Sequence, residues 1–238
     1  MAPAHEADAL VAAAAGDATR LDELAKRRLT GEPLAWITGS VSFCGTEIRV
    51  DPGVYVPRLH TEALALRAAQ CCPSKGVALD LCTGSGAVAA TISRLRPAAQ
   101  VVATDLDERA VACARRNGVE AYGGDLFGPV PAHLKGRVDV VVAVVPYVPE
   151  RELQYLQRDT LTFETPLAYL GGIEGTDLLR RVVAGASLWL RPGGALLLEL
   201  GRGQDDLLRD DLTRYHYAVV AVLHDEEGDL RGVEARLG

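Results

Sequence analysis

Three carboxylates and two closely spaced glycines are the residues of this 238-residue chain best suited to hold a charged small molecule. Asp80, Asp105 and Asp125 each stand at the end of, or just after, a segment that reads as a short strand. Gly84 and Gly86 flank Ser85 in the stretch Asp80-Leu81-Cys82-Thr83-Gly84-Ser85-Gly86. Glycines in such a turn let the backbone approach a ligand where a Cβ would block it. The residues that follow, Ala87-Val88-Ala89-Ala90-Thr91-Ile92, have helical spacing, so their first N–H groups lack intrahelical partners. Strand, turn and helix in that order make a nucleotide-binding turn.

The type of nucleotide follows from the acids. The run from Gly84 to Ala89 fits G-x-G-x-x-A, and Asp105 lies about 20 residues further on, where a carboxylate can reach ribose hydroxyls. A nicotinamide dinucleotide and S-adenosylmethionine both satisfy those facts. Asp80 separates them, because a carboxylate just before the turn repels a pyrophosphate. S-adenosylmethionine has no phosphate and carries an ammonium and a sulfonium, which that carboxylate attracts. Asp125 can approach an adenine amino group, with Leu126 against the ring. The expected cofactor contacts are therefore Asp80, Cys82, Thr83, Gly84, Ser85, Gly86, Asp105 with the adjoining Leu106, and Asp125 with Leu126.

These residues need a sheet to line them up. From Gly76 onward, short apolar runs alternate with segments of helical spacing. Residues 77–81, 100–105, 120–122, 138–145 and 195–200 are expected as parallel strands, with helices over 86–95, 108–117 and 176–190. Residues 138–145 are almost all β-branched, as in a strand covered on both faces. Residues 191–194, Arg-Pro-Gly-Gly, read as a turn, and 215–223 with 232–236 as a closing antiparallel pair. The expected fold is α/β, a doubly wound, seven-stranded, mainly parallel sheet. Ahead of it, residues 6–29 read as one or two helices with Gly16-Asp17 as a break. A β-hairpin is expected from 41–44 and 47–50 around Gly45-Thr46, then a helix over 61–70, and a boundary at Pro73. The division is a helical segment at 1–35, a hairpin hinge and linker helix at 36–72, and a cofactor-binding domain at 73–238.

Composition narrows the classes further. A net charge of −7 argues against a nucleic-acid backbone as partner, and no apolar stretch approaches the roughly 20 residues that span a bilayer. The five cysteines are odd in number and lack paired metal-ligand spacing, so reduced thiols, no metal site and a cytoplasmic location are expected. There is no Walker A sequence, H-E-x-x-H or G-x-S-x-G. Trp36 and Trp189 are expected as packing residues, residues 202–211 as a solvated charged helix, and His60, His133, His216 and His224 as isolated histidines.

The chain resembles class I S-adenosylmethionine-dependent methyltransferases, and more narrowly the HemK/PrmC-type protein-glutamine N5-methyltransferases. The resemblance runs through Gly31-Glu32-Pro33-Leu34, Val56-Pro57-Arg58 with Thr61-Glu62, Asp80 to Gly86, Gly124-Asp125-Leu126-Phe127, Glu164-Thr165-Pro166-Leu167-Ala168 and Leu198-Glu199-Leu200-Gly201. It implies a methyltransferase domain preceded by a hairpin hinge and a helical segment. Three departures matter. Cys82 stands where the family usually has a glycine, the helical region ahead of the hinge is short, and Val144-Val145-Pro146-Tyr147 replaces Asn-Pro-Pro-Tyr. In the resembling enzymes the asparagine and a proline carbonyl hold the target amide, whereas valine neither donates nor accepts.

The substrate loop is thus Val144, Pro146 and Tyr147, with Arg58 and Thr61 facing the substrate from the hinge. Tyr147 can stack over a flat substrate, and Arg58 can bind an acidic group. The expected function is methyl transfer to a small molecule or peptide other than a release factor, with a protein partner as a further option. Two alternatives stand beside it: the same fold turned to elimination or cyclisation, and a non-catalytic partner subunit.

Overall fold

A computed structural model describes residues 3–156, 158–225 and 227–238. Positive φ at Ala15 and Gly16 ends the first helix, α1 (Pro3–Ala14). Asp17 then starts α2 (Ala18–Leu29) by accepting from the Thr19 and Arg20 N–H groups, which a helix start leaves open. The break at Gly16-Asp17 therefore yields two helices. Leu10, Ala14, Leu24 and Ile37 join them to α3 (Leu34–Thr38), which runs across residues 35 and 36, the boundary expected between the first two parts.

The hairpin pairs β1 (Ser40–Phe43) with β2 (Thr46–Arg49), Val41 opposite Ile48. Its two-residue turn is Cys44-Gly45, both at positive φ, one residue earlier than expected; this backbone suits the twist of a tight hairpin. Phe43 and Ile48 are fully buried against α4 (Thr61–Cys71). Asn117 fastens the hairpin to the rest. Its side chain accepts from the Arg49 N–H and donates to the carbonyls of Arg49 and Ser85.

From there the chain alternates as expected: β3 (Val77–Leu81), α5 (Ala87–Leu95), β4 (Gln100–Asp105), α6 (Glu108–Arg116), β5 (Glu120–Gly123) and β6 (Val138–Ala143). A short α7 (Arg158–Phe163) precedes α8 (Asp177–Trp189), β7 (Leu190–Glu199), α9 (Gln204–Arg214), β8 (Tyr217–His224) and β9 (Leu230–Leu237). The seven strands stand in the order β5-β4-β3-β6-β7-β9-β8. The first five are parallel, and β9 is antiparallel to both neighbours. Cores on both faces explain the apolar strands: α4, α5 and α6 cover one side, α8 and α9 the other.

Two details depart from the expected elements. Residues 191–194, expected as a turn, instead belong to β7, which starts at Leu190. Val138 pairs with Leu190 and Val140 with Ala195, so the glycine-rich stretch is taken up as a shift of register within the strand. In addition, β6 stops at Ala143, so Val144 and Val145 leave the sheet where the strand order reverses between β3 and β6. Ligands of open α/β sheets sit at that reversal, beyond the carboxyl ends of the strands. Among the described residues, no helix is long and apolar enough to cross a membrane.

Candidate cofactor and substrate site

A cavity of about 650 Å³ opens there. One side of it begins at Asp80, 1% exposed near the end of β3. Asp80 Oδ2 accepts from the Thr83 hydroxyl at 2.6 Å and from the Ala89 N–H at 3.1 Å. Burial pushes Asp80 up to about 7; the Thr83 hydroxyl and Ala89 N–H pull it down, and Asp105 adds to the rise. A carboxylate therefore already occupies a donor at the start of α5, where a dinucleotide would need its pyrophosphate bound. The donor set suits a cation.

Asp105, at the end of β4, accepts the Gly84 N–H at 2.8 Å through Oδ2 and the Asp107 N–H at 2.9 Å through Oδ1. Burial raises it, and these backbone donors lower it. Each oxygen keeps a lone pair for a ribose hydroxyl. Leu106 is 62% exposed although it lines the cavity, an apolar surface suited to a purine face. Leu126 also lines the cavity. Asp125 does too, but its Oδ2 accepts from Arg181 of α8 at 2.6 Å, so only its other oxygen is outside that ion pair.

The two glycines divide their work. A Cβ on Gly84 would meet nothing closer than Tyr55 Cβ at 3.9 Å, so its bare face is the one open to a ligand. Gly86 differs from the expectation. It does not line the cavity, and a Cβ there would lie 2.9 Å from Ala114 Cβ and 3.0 Å from Ala114 Cα. It is a packing glycine that lets the turn rest on α6. Gly86→Ala should accordingly cost about 2 kcal/mol more stability than Gly84→Ala, since both strain a positive φ but only the former overpacks. Urea unfolding of the two variants measures this; equal losses would mean that Ala114 gives way.

Cys82 has a φ of 57°, which explains why a glycine suits the position. Burial, with Asp105, Asp80 and Asp125 around it, pushes its thiol far up, so it is a neutral wall rather than a nucleophile. The Ser85 carbonyl is turned to Asn117, and the Thr83 hydroxyl serves Asp80.

On the substrate side, Val144, Val145, Pro146 and Tyr147 form one wall. Val148 carries the wall onward, bridging to Leu170 and donating to the Tyr169 carbonyl. The Tyr147 hydroxyl donates to Glu199 Oε1 at 3.0 Å, and the Thr61 hydroxyl to Oε2 at 2.6 Å. Arg58 is already compensated. Its Nη2 donates to Glu164 at 2.7 Å, its Nε to the Tyr55 hydroxyl at 3.3 Å, and its guanidinium lies 4.9 Å from the Tyr55 ring centre. An acidic substrate group would compete with Glu164 for that charge. Burial pushes Tyr55 up to about 12, so it stays a neutral phenol.

Tyr55, Glu164, Arg181 and Glu199 are the participants that sequence reasoning missed. Glu199 had a usable signal: like Asp80 and Asp105, it is an acid ending an apolar strand. Among the described residues, no three His, Cys, Asp or Glu side chains converge as metal ligands would.

A family model described as "Methyltransferase small domain" matches residues 46–149. Among solved structures, a methyltransferase from Pyrococcus furiosus superposes with a TM-score of 0.59 at 21% identity, over 81% of this chain and 88% of that one. A ribosomal protein L11 methylase from Lactobacillus delbrueckii subsp. bulgaricus gives 0.56 at 18%, over 80% and 86%. Sheet order and strand-end acids together define a class I methyltransferase, and S-adenosylmethionine is its cofactor.

Two relatives narrow this further. The release factor glutamine methyltransferase of Geobacter sulfurreducens is 34% identical over 221 residues, 90% of this chain and 77% of that one. Its counterpart from Neisseria gonorrhoeae is 36% identical over 216 residues, 88% and 78%. The chain belongs to the HemK/PrmC-type methyltransferase family.

Proposed function

We propose that this protein transfers the methyl group of S-adenosylmethionine to a substrate other than the glutamine of a release factor, and does so in the cytoplasm. Asp80, Asp105, the Gly84 turn, Leu106 and Leu126 would hold the cofactor, which supplies an electrophilic methyl group. The observation that carries the substrate reading is Val144, which lines the cavity at the position where the resembling enzymes place an asparagine. An amide nitrogen is a weak nucleophile. A donor and an acceptor must converge on the group to orient it, and an unpaired buried amide costs about 1–3 kcal/mol. Val144 offers neither, nor does Val145, which borders the cavity and packs among the core residues. Tyr155 and Leu167, both exposed and both lining the cavity, add apolar surface at its mouth. That surface favours a substrate less polar than a carboxamide. Five free cysteines support a reducing compartment.

Radiolabelled cofactor offered with release factor, short peptides and a metabolite extract in separate reactions tests the reading. Label on a small metabolite or peptide is the expected result. Robust labelling of release-factor glutamine would overturn it. Conversion of a metabolite without label transfer would favour elimination or cyclisation, and cofactor binding with no turnover would favour a partner subunit.

A further inference from the structure

His60 is isolated in the sequence but not in the fold. It precedes the first residue of α4 and lines the cavity beside Thr61 and Tyr147. Its Nε2 is buried without a hydrogen-bond partner, and the carboxylate nearest to it is Glu199 Oε1 at 3.4 Å. Glu199, 1% exposed, is the same carboxylate that accepts from Tyr147 and Thr61. A carboxylate only accepts, so the proton of the neutral imidazole belongs on Nε2, and Nδ1 carries the lone pair. Nε2 is the buried unpartnered nitrogen of a residue that lines the cavity, which leaves Nδ1 as the nitrogen for a substrate. Tyr147 closes the Val144 wall, which puts this cluster on the substrate side and away from Asp105.

We propose that His60 accepts the proton of the substrate nucleophile, with Glu199 as the positioning residue that holds its ring. The assignment rests on the reading that methyl transfer goes to a group other than the carboxamide. It names that group's class: a hydroxyl or amine that still carries a proton when it attacks. Its lone pair forms the new bond to the methyl carbon. The sulfur–carbon bond breaks with its electron pair left on sulfur, and the O–H or N–H proton moves to Nδ1. The imidazolium so formed faces Glu199, so the positive charge lost at sulfur reappears beside a carboxylate.

The charged and titratable groups around His60 are Glu199 from β7 and Tyr147 from the loop after β6. Tyr55 and Arg58 belong to its own segment, Glu164 faces Arg58, and Arg231 of β9 lies toward Tyr147. Two measurements test the proposal. In the full-length protein with isotope-labelled histidine, His60→Gln assigns the His60 resonance. Glu199→Gln should then move its Nε2 resonance, since that N–H loses the carboxylate it faces. An Nε2 resonance unmoved in a folded variant would overturn the pairing. Should Glu199→Gln fail to fold, Tyr147→Phe frees Oε1 for His60 and should move the same Nε2 resonance; no change would count against the proposal in the same way.

At saturating cofactor, so that Asp80 stays charged, His60→Gln should lower kcat about 100-fold or more and abolish the acid limb of the pH profile. The KM for cofactor should stay unchanged. The substrate used is whichever one takes up label, release-factor glutamine included, so that a failure of the substrate reading still leaves His60 tested. A His60→Gln enzyme within threefold of wild type, or a folded wild type that transfers no methyl group to anything, would overturn the assignment.

Discussion

Exchanging Val144 for Asn and Val145 for Pro together is expected to raise methylation of the glutamine in a Gly-Gly-Gln release-factor substrate at least about tenfold. The physical basis is the clamp. Restoring a side-chain donor and acceptor to a buried amide recovers about 1–3 kcal/mol, and fixing its orientation adds to that. The loop can take the change because Val144 and Val145 lie beyond the end of β6 and outside its ladder. Val145 already precedes Pro146, which holds it extended, so a second proline there asks for little new backbone geometry. Scintillation counting of the labelled peptide gives the rate, and urea unfolding of the double variant separates a silent loop from a collapsed core. A folded double variant with no gain would place the divergence outside this loop.

Asp80→Asn should weaken S-adenosylmethionine binding by about 2–3 kcal/mol, roughly 30- to 150-fold, while making the ligand-free protein more stable at pH 8. Both effects follow from one buried carboxylate. Asparagine keeps an oxygen for the Thr83 hydroxyl and the Ala89 N–H, but it removes the charge that faces the ammonium and sulfonium.

In the ligand-free protein Asp80 sits at about 7 against an ordinary 3.8, so the fold prefers its neutral form. The stability that this contributes is complete at low pH and is lost as pH rises through about 7, to a ceiling of about 4 kcal/mol. Asparagine cannot ionise and escapes the loss. The variant should therefore match wild type only below about pH 4, exceed it by about 1–2 kcal/mol at pH 5, where the unfolded acid is already ionised, and exceed it by most of the ceiling at pH 8. Cofactor affinity runs the other way: a cation favours the ionised acid, so wild-type affinity should fall by up to about tenfold per unit between pH 7 and 6. The variant should be flat over that range. Calorimetry and thermal unfolding across pH 5–8 report both. Wild-type affinity independent of pH would show that Asp80 is ionised throughout.

The local part of this protein could be read from its residues in order. Apolar runs of strand length, the break at Gly16-Asp17, the tight hairpin and the acids closing β3 and β4 all depend on neighbours within a few positions. Periodicity and turn chemistry report such neighbours directly. The choice of cofactor was legible for the same reason, since Asp80 stands just ahead of the turn that it caps. What only the tertiary structure decided are meetings across long stretches of chain. Thr61 reaches Glu199 over 138 residues, Arg58 reaches Glu164 over 106, and Arg181 reaches Asp125 over 56. Gly86 belongs to packing because α6 returns onto the turn, and His60 becomes a candidate base because β7 ends beside it. No local spacing encodes those contacts. They are set by the crossovers of a parallel sheet, which bring the ends of distant strands to one edge, where buried charges must find partners.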